Sequence, residues 1–201
     1  MKKIKVKNTF NINIKGSPSL EIIKARKATK VAVLPSSIPL ISPRLAIKQG
    51  DQVKIGTVLF YDKKRPDIKF VSPGAGKVSQ VNFGPKRRLD EIIISLDKEE
   101  EAIPLTKIKP EKIAKTNQKK IVEILQDAGL WGLIKEQPFN RIPDKDTIPP
   151  SIYVTIDSDE PFLPNAEIYL KDQIDTFKMG LDVLRQLSDK KPFVGVGENN
   201  V

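Results

Sequence analysis

Cysteine and histidine are both absent from the 201-residue sequence, and aromatic residues make up only 6% of it. These absences exclude disulfides, thiolate and imidazole metal sites, cysteine-ligated iron–sulfur clusters and every catalytic role of histidine. Carboxylates, lysine, serine and tyrosine remain for chemistry, a thin set for an enzyme. We therefore predict that the isolated chain has no catalytic residue, no metal site and no activity of its own.

A long apolar run is missing as well. No stretch approaches the roughly 18 apolar residues of a membrane-spanning helix. The N-terminal segment Met1–Lys5 alternates basic and apolar residues, and no signal-peptide core follows it. The apolar residues, 39% of the chain, indicate a globular protein that we expect to stay in the cytoplasm.

The net charge of +10 is unevenly distributed. Residues Met1 to Asp97 contain 20 basic and 7 acidic side chains, a net charge of +13, whereas the remainder contains 15 basic and 18 acidic ones, a net charge of −3. This asymmetry favours an anionic partner for the first half, which is an acidic protein face, an anionic membrane surface or nucleic acid. A lysine-rich proteome would produce the same excess without any partner.

Residues 1–98 are predicted to form a small all-β domain. An N-terminal strand is predicted for Lys3–Lys15, where apolar and polar residues alternate. Short β-branched segments between glycine and proline breaks predict six further strands: Lys30–Leu34, Leu45–Lys48, Thr57–Tyr61, Ile68–Val71, Lys77–Phe83 and Glu91–Leu96. Many short strands between turn signals are typical of a sandwich or barrel.

Residues 99–148 are predicted to be a linker with helices. The segment Lys98–Lys112 is charged and contains two prolines. Asn117–Ala128 has the apolar period of a helix that its first residue can cap, and Gly129 suits the C′ position. A short apolar turn, Leu130–Ile134, follows.

Residues 149–201 alternate strand, helix and strand. Ser151–Ile156 is almost wholly apolar or β-branched, as a strand buried on both faces would be. A helix is predicted for Lys171–Leu187 and a second strand for Pro192–Val196. This pattern predicts the start of a Rossmann-like parallel α/β domain, incomplete within these residues, and an α+β multi-domain chain overall.

The α/β portion has no recognisable nucleotide cradle. The loop Asp157–Pro161 brings three acids to a turn where a pyrophosphate needs glycines and helix N–H groups. Gly195 and Gly197 form a lone G-x-G without a third glycine. We therefore expect no dinucleotide to bind here.

A carrier-domain pattern lies in the β domain. Gly50–Phe60 followed by Ser72–Val78 resembles the half-repeat of the biotinyl/lipoyl carrier fold, a barrel-sandwich hybrid. A carrier modifies a lysine at a hairpin tip, and Asp62-Lys63-Lys64 stands where that tip is expected. Because the segment continues as Arg65-Pro66-Asp67, longer and more charged than a carrier hairpin, a solvated turn is favoured over a modified lysine.

Two basic clusters follow predicted strands. Their members are Lys63, Lys64, Arg65, Lys86, Arg87 and Arg88. On neighbouring hairpins they would form one patch for phosphates, lipid headgroups or a membrane-embedded partner, with an inert solvated face as the alternative. Nucleic-acid binding usually adds stacking aromatic residues, and only Tyr61 and Phe83 are near, so no nucleic-acid partner is expected.

An apolar cluster with aromatic members lies between the predicted helix and the loop after it. It consists of Leu130, Trp131, Ile134, Pro138 and Phe139. An apolar ligand such as a quinone fits this composition, and so does packing between domains.

Five stretches together resemble the family of A subunits of the Na+-translocating NADH:quinone reductase. They are Gly16–Pro18; Val31–Leu34; Gly50–Lys54 running through Leu59–Lys64 to Phe70–Pro73; Gly84–Arg87; and Ala128–Trp131 with Gln137–Pro143 and Ile152–Asp157. Their common order and spacing make the resemblance more specific than any single motif. The peripheral C subunit of the Rnf electron-transfer complex shares the barrel start but has cysteine clusters, which are absent here.

The resemblance implies a peripheral subunit on the cytoplasmic side of the bacterial inner membrane, docked on the membrane-embedded B subunit. The complex oxidises NADH, reduces ubiquinone and exports Na+; it uses flavins and iron–sulfur centres, none of which the family's peripheral subunit holds. The family protein is about twice this length. Its quinone-proximal stretches match positions 34–41 and 134–141. The resemblance implies possible ubiquinone contact at Leu34, Ile38, Ile41, Ile134, Pro138 and Phe139, and at Trp131 just before the second stretch.

Overall fold

The computed structural model describes residues 14–156 and 162–196. The chain divides into two compact units, of which Arg26–Ile148 is one, the barrel unit. The other, the α/β unit, joins residues 14–25 to residues 149–156 and 162–196. The predicted strand Lys3–Lys15 lies almost wholly outside the described residues, and the acidic loop Asp157–Pro161 lies wholly outside them. Among the described helices, none is long and apolar enough to cross a membrane.

Seven strands build the barrel unit. They are β1 (Lys30–Val33), β2 (Pro43–Leu45), β3 (Gln52–Val53), β4 (Val58–Asp62), β5 (Arg65–Val71), β6 (Gly76–Phe83) and β7 (Leu89–Leu96). One sheet has the order β1-β7-β6-β3 and the other β2-β4-β5, with every pair antiparallel. The six short strands predicted between Lys30 and Leu96 are therefore present, with shifted bounds.

Alternating apolar side chains of both sheets meet in a single core. Its fully buried members are Val53, Leu59, Phe60, Val78, Leu89, Ile92 and Ile94. The rings of Phe60 and Phe70 stack, with centroids 4.6 Å apart and planes 10° from parallel. Because burial of one such side chain stabilises by about 1.5–3 kcal/mol, this core is the main source of stability in the unit.

The structure corrects two predictions about the second sheet. The strand predicted for Leu45–Lys48 is Pro43–Leu45, since the backbone N–H of Lys48 donates to the Asp51 carboxylate at 2.9 Å and begins a turn. The hairpin predicted to be long is a two-residue turn, because β5 begins at Arg65 and includes Pro66. Since β5 is an edge strand, the missing N–H of that proline need not cost a ladder hydrogen bond.

The helical segment, residues 99–148, contains α1 (Pro110–Ile113), α2 (Gln118–Asp127) and a 3-10 turn at Trp131–Leu133. The side chain of Asn117 caps α2 by accepting from the backbone N–H of Lys120 at 2.8 Å. Gly129 follows α2 with φ +70°, and a Cβ there would lie 2.6 Å from Cγ2 of Val71. The predicted cap and C′ glycine are confirmed, and the glycine also permits close approach to β5.

This helical segment packs along β5. Three alternate residues of the strand form ion pairs with it: Arg65 with Asp144 at 3.1 Å, Asp67 with Lys145 at 2.6 Å and Lys69 with Asp127 at 2.7 Å. The three pairs extend from the first to the fifth residue of the strand. The buried indole of Trp131 donates to the carbonyl of Pro143 at 2.9 Å. The segment therefore belongs to the same compact unit as the two sheets.

The α/β unit contains β8 (Tyr153–Thr155), α3 (Ala166–Leu170), α4 (Ile174–Arg185) and β9 (Phe193–Gly195). The two strands are parallel, which confirms the β–α–β pattern, although α4 begins three residues later than predicted and α3 was not expected. Tyr153 stacks on Phe193 and is 75% exposed. The prediction that Ser151–Ile156 is buried on both faces is therefore wrong. No described element of this unit covers the face that carries these two rings.

Candidate functional site

A buried carboxylate lies at the turn between β4 and β5. Asp62 is 1% exposed, and its oxygens accept from the backbone N–H groups of Ser42 at 3.1 Å and Lys64 at 3.2 Å. The guanidinium of Arg65 completes the set, with Nε donating to Oδ2 of Asp62 at 3.1 Å. A carboxylate removed from water needs such partners, so the turn is built around this charge.

Arg65 extends this network to the helical segment. Its Nη1 donates to the carbonyl of Ile142 at 2.7 Å and to Oδ1 of Asp144 at 3.1 Å. One arginine thus joins the hairpin to residues 77 and 79 positions further along the chain. We call Asp62 and Arg65 the buried pair.

Both predicted quinone-proximal stretches end at the buried pair. The first stretch, 34–41, leads directly into Ser42, which bonds Asp62. The second, 134–141, leads directly into Ile142, which bonds Arg65. The structure therefore brings the carboxyl ends of the two stretches together through one ion pair.

The first stretch is partly packed on the barrel. Ile38 and Ile41 are half-buried against the core, whereas Leu34 is 48% exposed. Leu40, between them, is 68% exposed with φ +60°. The stretch thus presents Leu34 and Leu40 to solvent and uses the two isoleucines to anchor itself.

The second stretch forms a closed loop. The backbones of Glu136 and Arg141 bond each other, and their side chains pair at 2.9 Å, which raises the pKa of the arginine above its ordinary value. Pro138 and Phe139 are exposed on this loop, the phenylalanine at 72%. Ile134 is half-buried, and Trp131, just before the stretch, is buried. Of the apolar cluster, only Leu130, Pro138 and Phe139 are open to solvent.

The two basic clusters lie on the turns of different sheets. Lys63 and Lys64 form the β4–β5 turn, and Lys86 to Arg88 lie in the β6–β7 turn. Two of the six residues are engaged within the fold: Arg65 in the buried pair and Arg88 with Asp90 at 2.9 Å. Sequence reasoning counted Arg65 as a surface cation and missed Asp62; an acid ending an apolar strand three residues before an arginine was the available signal.

An open cleft of about 300 Å³ lies in the α/β unit, at the carboxyl ends of β8 and β9. Its lining is mainly apolar: Ile156, Ala166, Glu167, Leu170, Lys171, Ile174 and Val196. Carboxyl ends of parallel strands are where open α/β sheets bind ligands. Residues 157–161 and the residues from Gly197 onwards lie outside the described part. Across residues 14–156 and 162–196, no group of three or more acidic side chains could hold a metal ion.

Two family descriptions match the chain. "NqrA N-terminal barrel-sandwich hybrid domain" matches residues 4–97, and "NqrA second alpha/beta domain" matches residues 116–201. The predicted barrel-sandwich hybrid followed by an α/β domain is thereby confirmed. The second match begins at residue 116, inside the barrel unit, so part of that family domain packs on β5.

Curated relatives agree with these matches. The A subunit of the Na(+)-translocating NADH-quinone reductase of Pseudomonas aeruginosa PAO1 is 34% identical over 185 residues, 92% of this chain and 41% of the relative. The A subunits of the same enzyme from Neisseria gonorrhoeae and Vibrio vulnificus are each 34% identical, over 94% and 95% of this chain and 42% and 43% of their own length. The chain thus spans about two fifths of the relatives it matches. It belongs to the family of Na+-translocating NADH:quinone reductase A subunits.

Proposed function

We propose that the chain supplies the first two domains of a peripheral subunit of a Na+-translocating NADH:quinone reductase. The match of both family domains, in order and over nearly the whole chain, supports this proposal. The relatives are named as subunits, so NADH oxidation, quinone reduction and Na+ export belong to the assembled complex. Their names support this function and not that of a lipoyl or biotinyl carrier.

The role of the chain is to bind and position, not to react. It has no cysteine or histidine, and the buried carboxylate of Asp62 is fully used by the fold. We place the chain on the cytoplasmic side of the bacterial inner membrane, held by the B subunit, with flavins and iron–sulfur centres elsewhere in the complex. The basic clusters on the two hairpin turns face the membrane side of the complex.

Co-purification tests the proposed function. The tagged chain, expressed in its native host, is isolated from detergent-solubilised membranes beside an untagged strain as control. We expect the B subunit and other membrane subunits to co-elute, with NADH:quinone reductase activity in that fraction and none in the isolated chain. Turnover by the isolated chain, or a tightly bound flavin in it, would contradict the proposal.

Ubiquinone contact is proposed at the two stretches that meet at the buried pair. Their exposed apolar side chains, Leu34 and Phe139, are the contact candidates. A photoreactive ubiquinone analogue, added to the complex, is expected to label peptides containing these residues. Leu34→Ser and Phe139→Ser should each reduce labelling, whereas Leu105→Ser, at an exposed leucine outside both stretches, should not. Equal labelling of all three variants would remove this assignment.

The carrier alternative has a direct test. A lipoyl or biotinyl group on Lys63 or Lys64 would add its mass to the protein isolated from the native host. We expect the unmodified mass of the chain, because the role proposed here needs no swinging arm. A modified lysine at either position would replace the subunit proposal with the carrier function.

A further inference from the structure

One end of the barrel unit combines exposed apolar and basic side chains. We call it the amphiphilic end and define it by Leu34, Leu40, Phe83, Lys63, Lys64, Lys86 and Arg87, all of which are exposed. The three apolar members are 48%, 68% and 53% exposed. Large apolar side chains in such an arrangement, rimmed by charge, mark an interaction surface.

The connection between β1 and β2 holds these residues together. Near its start the Ser36 hydroxyl donates to the carbonyl of Asp90, beside the β6–β7 turn. Near its finish the carbonyl of Ser42 accepts from the backbone N–H of Lys63 at 2.8 Å, in the β4–β5 turn. Six residues reach at most about 20 Å, so both basic turns lie at one end of the barrel. Leu34 and Leu40 are on the same connection.

Within the described residues, the cations of this end have no ion-pair partner, whereas its acids bond inside the fold. Within residues 14–156 and 162–196, none of Lys63, Lys64, Lys86 and Arg87 forms an ion pair. The neighbouring acids bond inside the fold: Asp62 with Arg65, Asp90 with Arg88 and Glu91 with Asn82 at 2.7 Å. The surface therefore presents positive charge that the protein itself does not neutralise.

Three of these residues adopt backbone conformations that glycine or asparagine would adopt at a lower conformational free energy. Lys86 and Arg87 have φ of +57° and +56°, and Leu40 has φ +60°. A side chain with a Cβ is disfavoured in this region by about 1 kcal/mol. A lysine, an arginine and an exposed leucine at these positions add no visible stability to the fold, so their side chains serve a surface role.

We infer that the amphiphilic end binds the headgroup region of an anionic phospholipid bilayer. This inference rests on the proposed function and names the ligand of its membrane-facing clusters. Basic residues beside protruding apolar ones suit this layer, since phosphates attract the cations while leucine and phenylalanine enter the acyl boundary. An acidic protein partner fits less well, because protein interfaces are depleted in lysine and three of the four cations are lysines. Nucleic acid would need more than the single aromatic Phe83.

Vesicle binding by the full 201-residue chain tests the inference. Vesicles of phosphatidylcholine with about 30% phosphatidylglycerol are compared with pure phosphatidylcholine by co-sedimentation at low and physiological salt. We expect binding to the anionic vesicles only, weakened by salt. Each basic residue near an anionic surface strengthens binding about fivefold, so Lys63→Gln with Lys64→Gln should weaken it about 25-fold. Lys107→Gln with Lys109→Gln, at exposed lysines elsewhere in the unit, is the matched control.

A second set of variants separates binding from folding. Lys86→Asn with Arg87→Gly places residues suited to positive φ in the turn, and Leu40→Asn does the same in the connection. Both variants should unfold at the same or higher urea concentration than the unchanged chain and still bind anionic vesicles at least tenfold more weakly. Unchanged vesicle binding in these stable variants would overturn the inference.

Its failure can be told apart from failure of the proposed function. If the chain co-purifies with the B subunit but binds no vesicle, the lipid inference is wrong and the subunit proposal stands. If the chain binds anionic vesicles but never co-purifies with membrane subunits, the subunit proposal is wrong and the lipid inference stands. If the Lys63 and Lys64 variant loses the B subunit but keeps vesicle binding, the basic end is a protein-docking surface and the inference is overturned.

Discussion

The barrel unit and the α/β unit differ in how much of their apolar surface they cover by themselves. In the barrel, seven core side chains are at most 4% exposed. In the described α/β unit, only Ala166 and Leu187 are buried apolar residues, and Tyr153 and Phe193 stack in the open. The barrel unit thus encloses an apolar core of its own, whereas the described residues of the α/β unit leave an apolar face exposed. Residues with equal apolar character should therefore make very different contributions to the free energy of unfolding in the two units.

The largest expected effect is at the centre of the barrel. Phe60→Ala removes a ring that is fully buried and stacked on Phe70, and should lower the free energy of unfolding by about 3–5 kcal/mol. Tyr153→Ala, at the exposed ring of the α/β unit, should change it by less than about 1 kcal/mol. Urea unfolding followed by Trp131 fluorescence measures the first, because this single tryptophan is in the barrel unit; hydrogen exchange of β8 measures the second. Equal costs at both sites would break the comparison.

The buried pair should have the next largest effect. Asp62→Ala leaves Arg65, 27% exposed, without its main partner and the backbone N–H groups of the turn without an acceptor. We expect a loss of about 2–4 kcal/mol in urea unfolding. Asp144→Ala, which removes only the exposed partner of the same arginine, should cost at most about 1 kcal/mol. A comparable cost for both variants would show that burial of Asp62 is not what matters.

A smaller effect is expected where the helical segment meets β5. Gly129→Ala introduces a Cβ 2.6 Å from Cγ2 of Val71 at a residue with φ +70°, and should cost about 1–3 kcal/mol. Adding Val71→Ala should recover the part of this cost that comes from the clash. The interaction energy of the double-mutant cycle is the readout, and an additive cycle would mean that backbone conformation alone decides the cost.

The smallest effect concerns a surface pair of the barrel unit. The Lys54 ammonium bonds Glu101 at 2.7 Å and lowers the pKa of that carboxyl below its ordinary value of 4.5. A carboxyl whose pKa is lower in the folded state than in the unfolded state stabilises the fold at pH values above its unfolded-state pKa. This contribution is lost as the pH falls through the folded-state pKa. In an NMR titration, Lys54→Met should raise the pKa of Glu101 toward its ordinary value. An unchanged titration would show that the pair does not persist in solution.

Local chemistry explains which elements could be predicted from sequence. Alternation and β-branching located the strands around Ile92 and Ile94, and an asparagine and a glycine at fixed positions located both ends of α2. Pro66 was misread because a proline interrupts a central strand but not an edge strand, and edge position is a property of the whole sheet.

The candidate site was predictable only in part for the same reason. The residues of both stretches were named from the family resemblance, but their meeting point depends on bonds between Arg65 and residues 77 and 79 positions away. No sequence period reports such a contact. The burial of Asp62 likewise depends on the connection at Ser42, which lies between two predicted strands and is 20 residues from Asp62 in the sequence.

The three ion pairs along β5 have a consequence for how this polypeptide can be divided. The family description assigns residues 116–201 to one domain. Three side chains of that domain nevertheless pair with β5, an edge strand of the preceding domain: Asp127, Asp144 and Lys145. A polypeptide that ended at residue 115 would leave β5 uncovered at the edge of its sheet. The strand could then pair with a neighbouring molecule, which is a route to aggregation. The family domains and the compact units are therefore divided at different residues, and the barrel unit ends at Ile148.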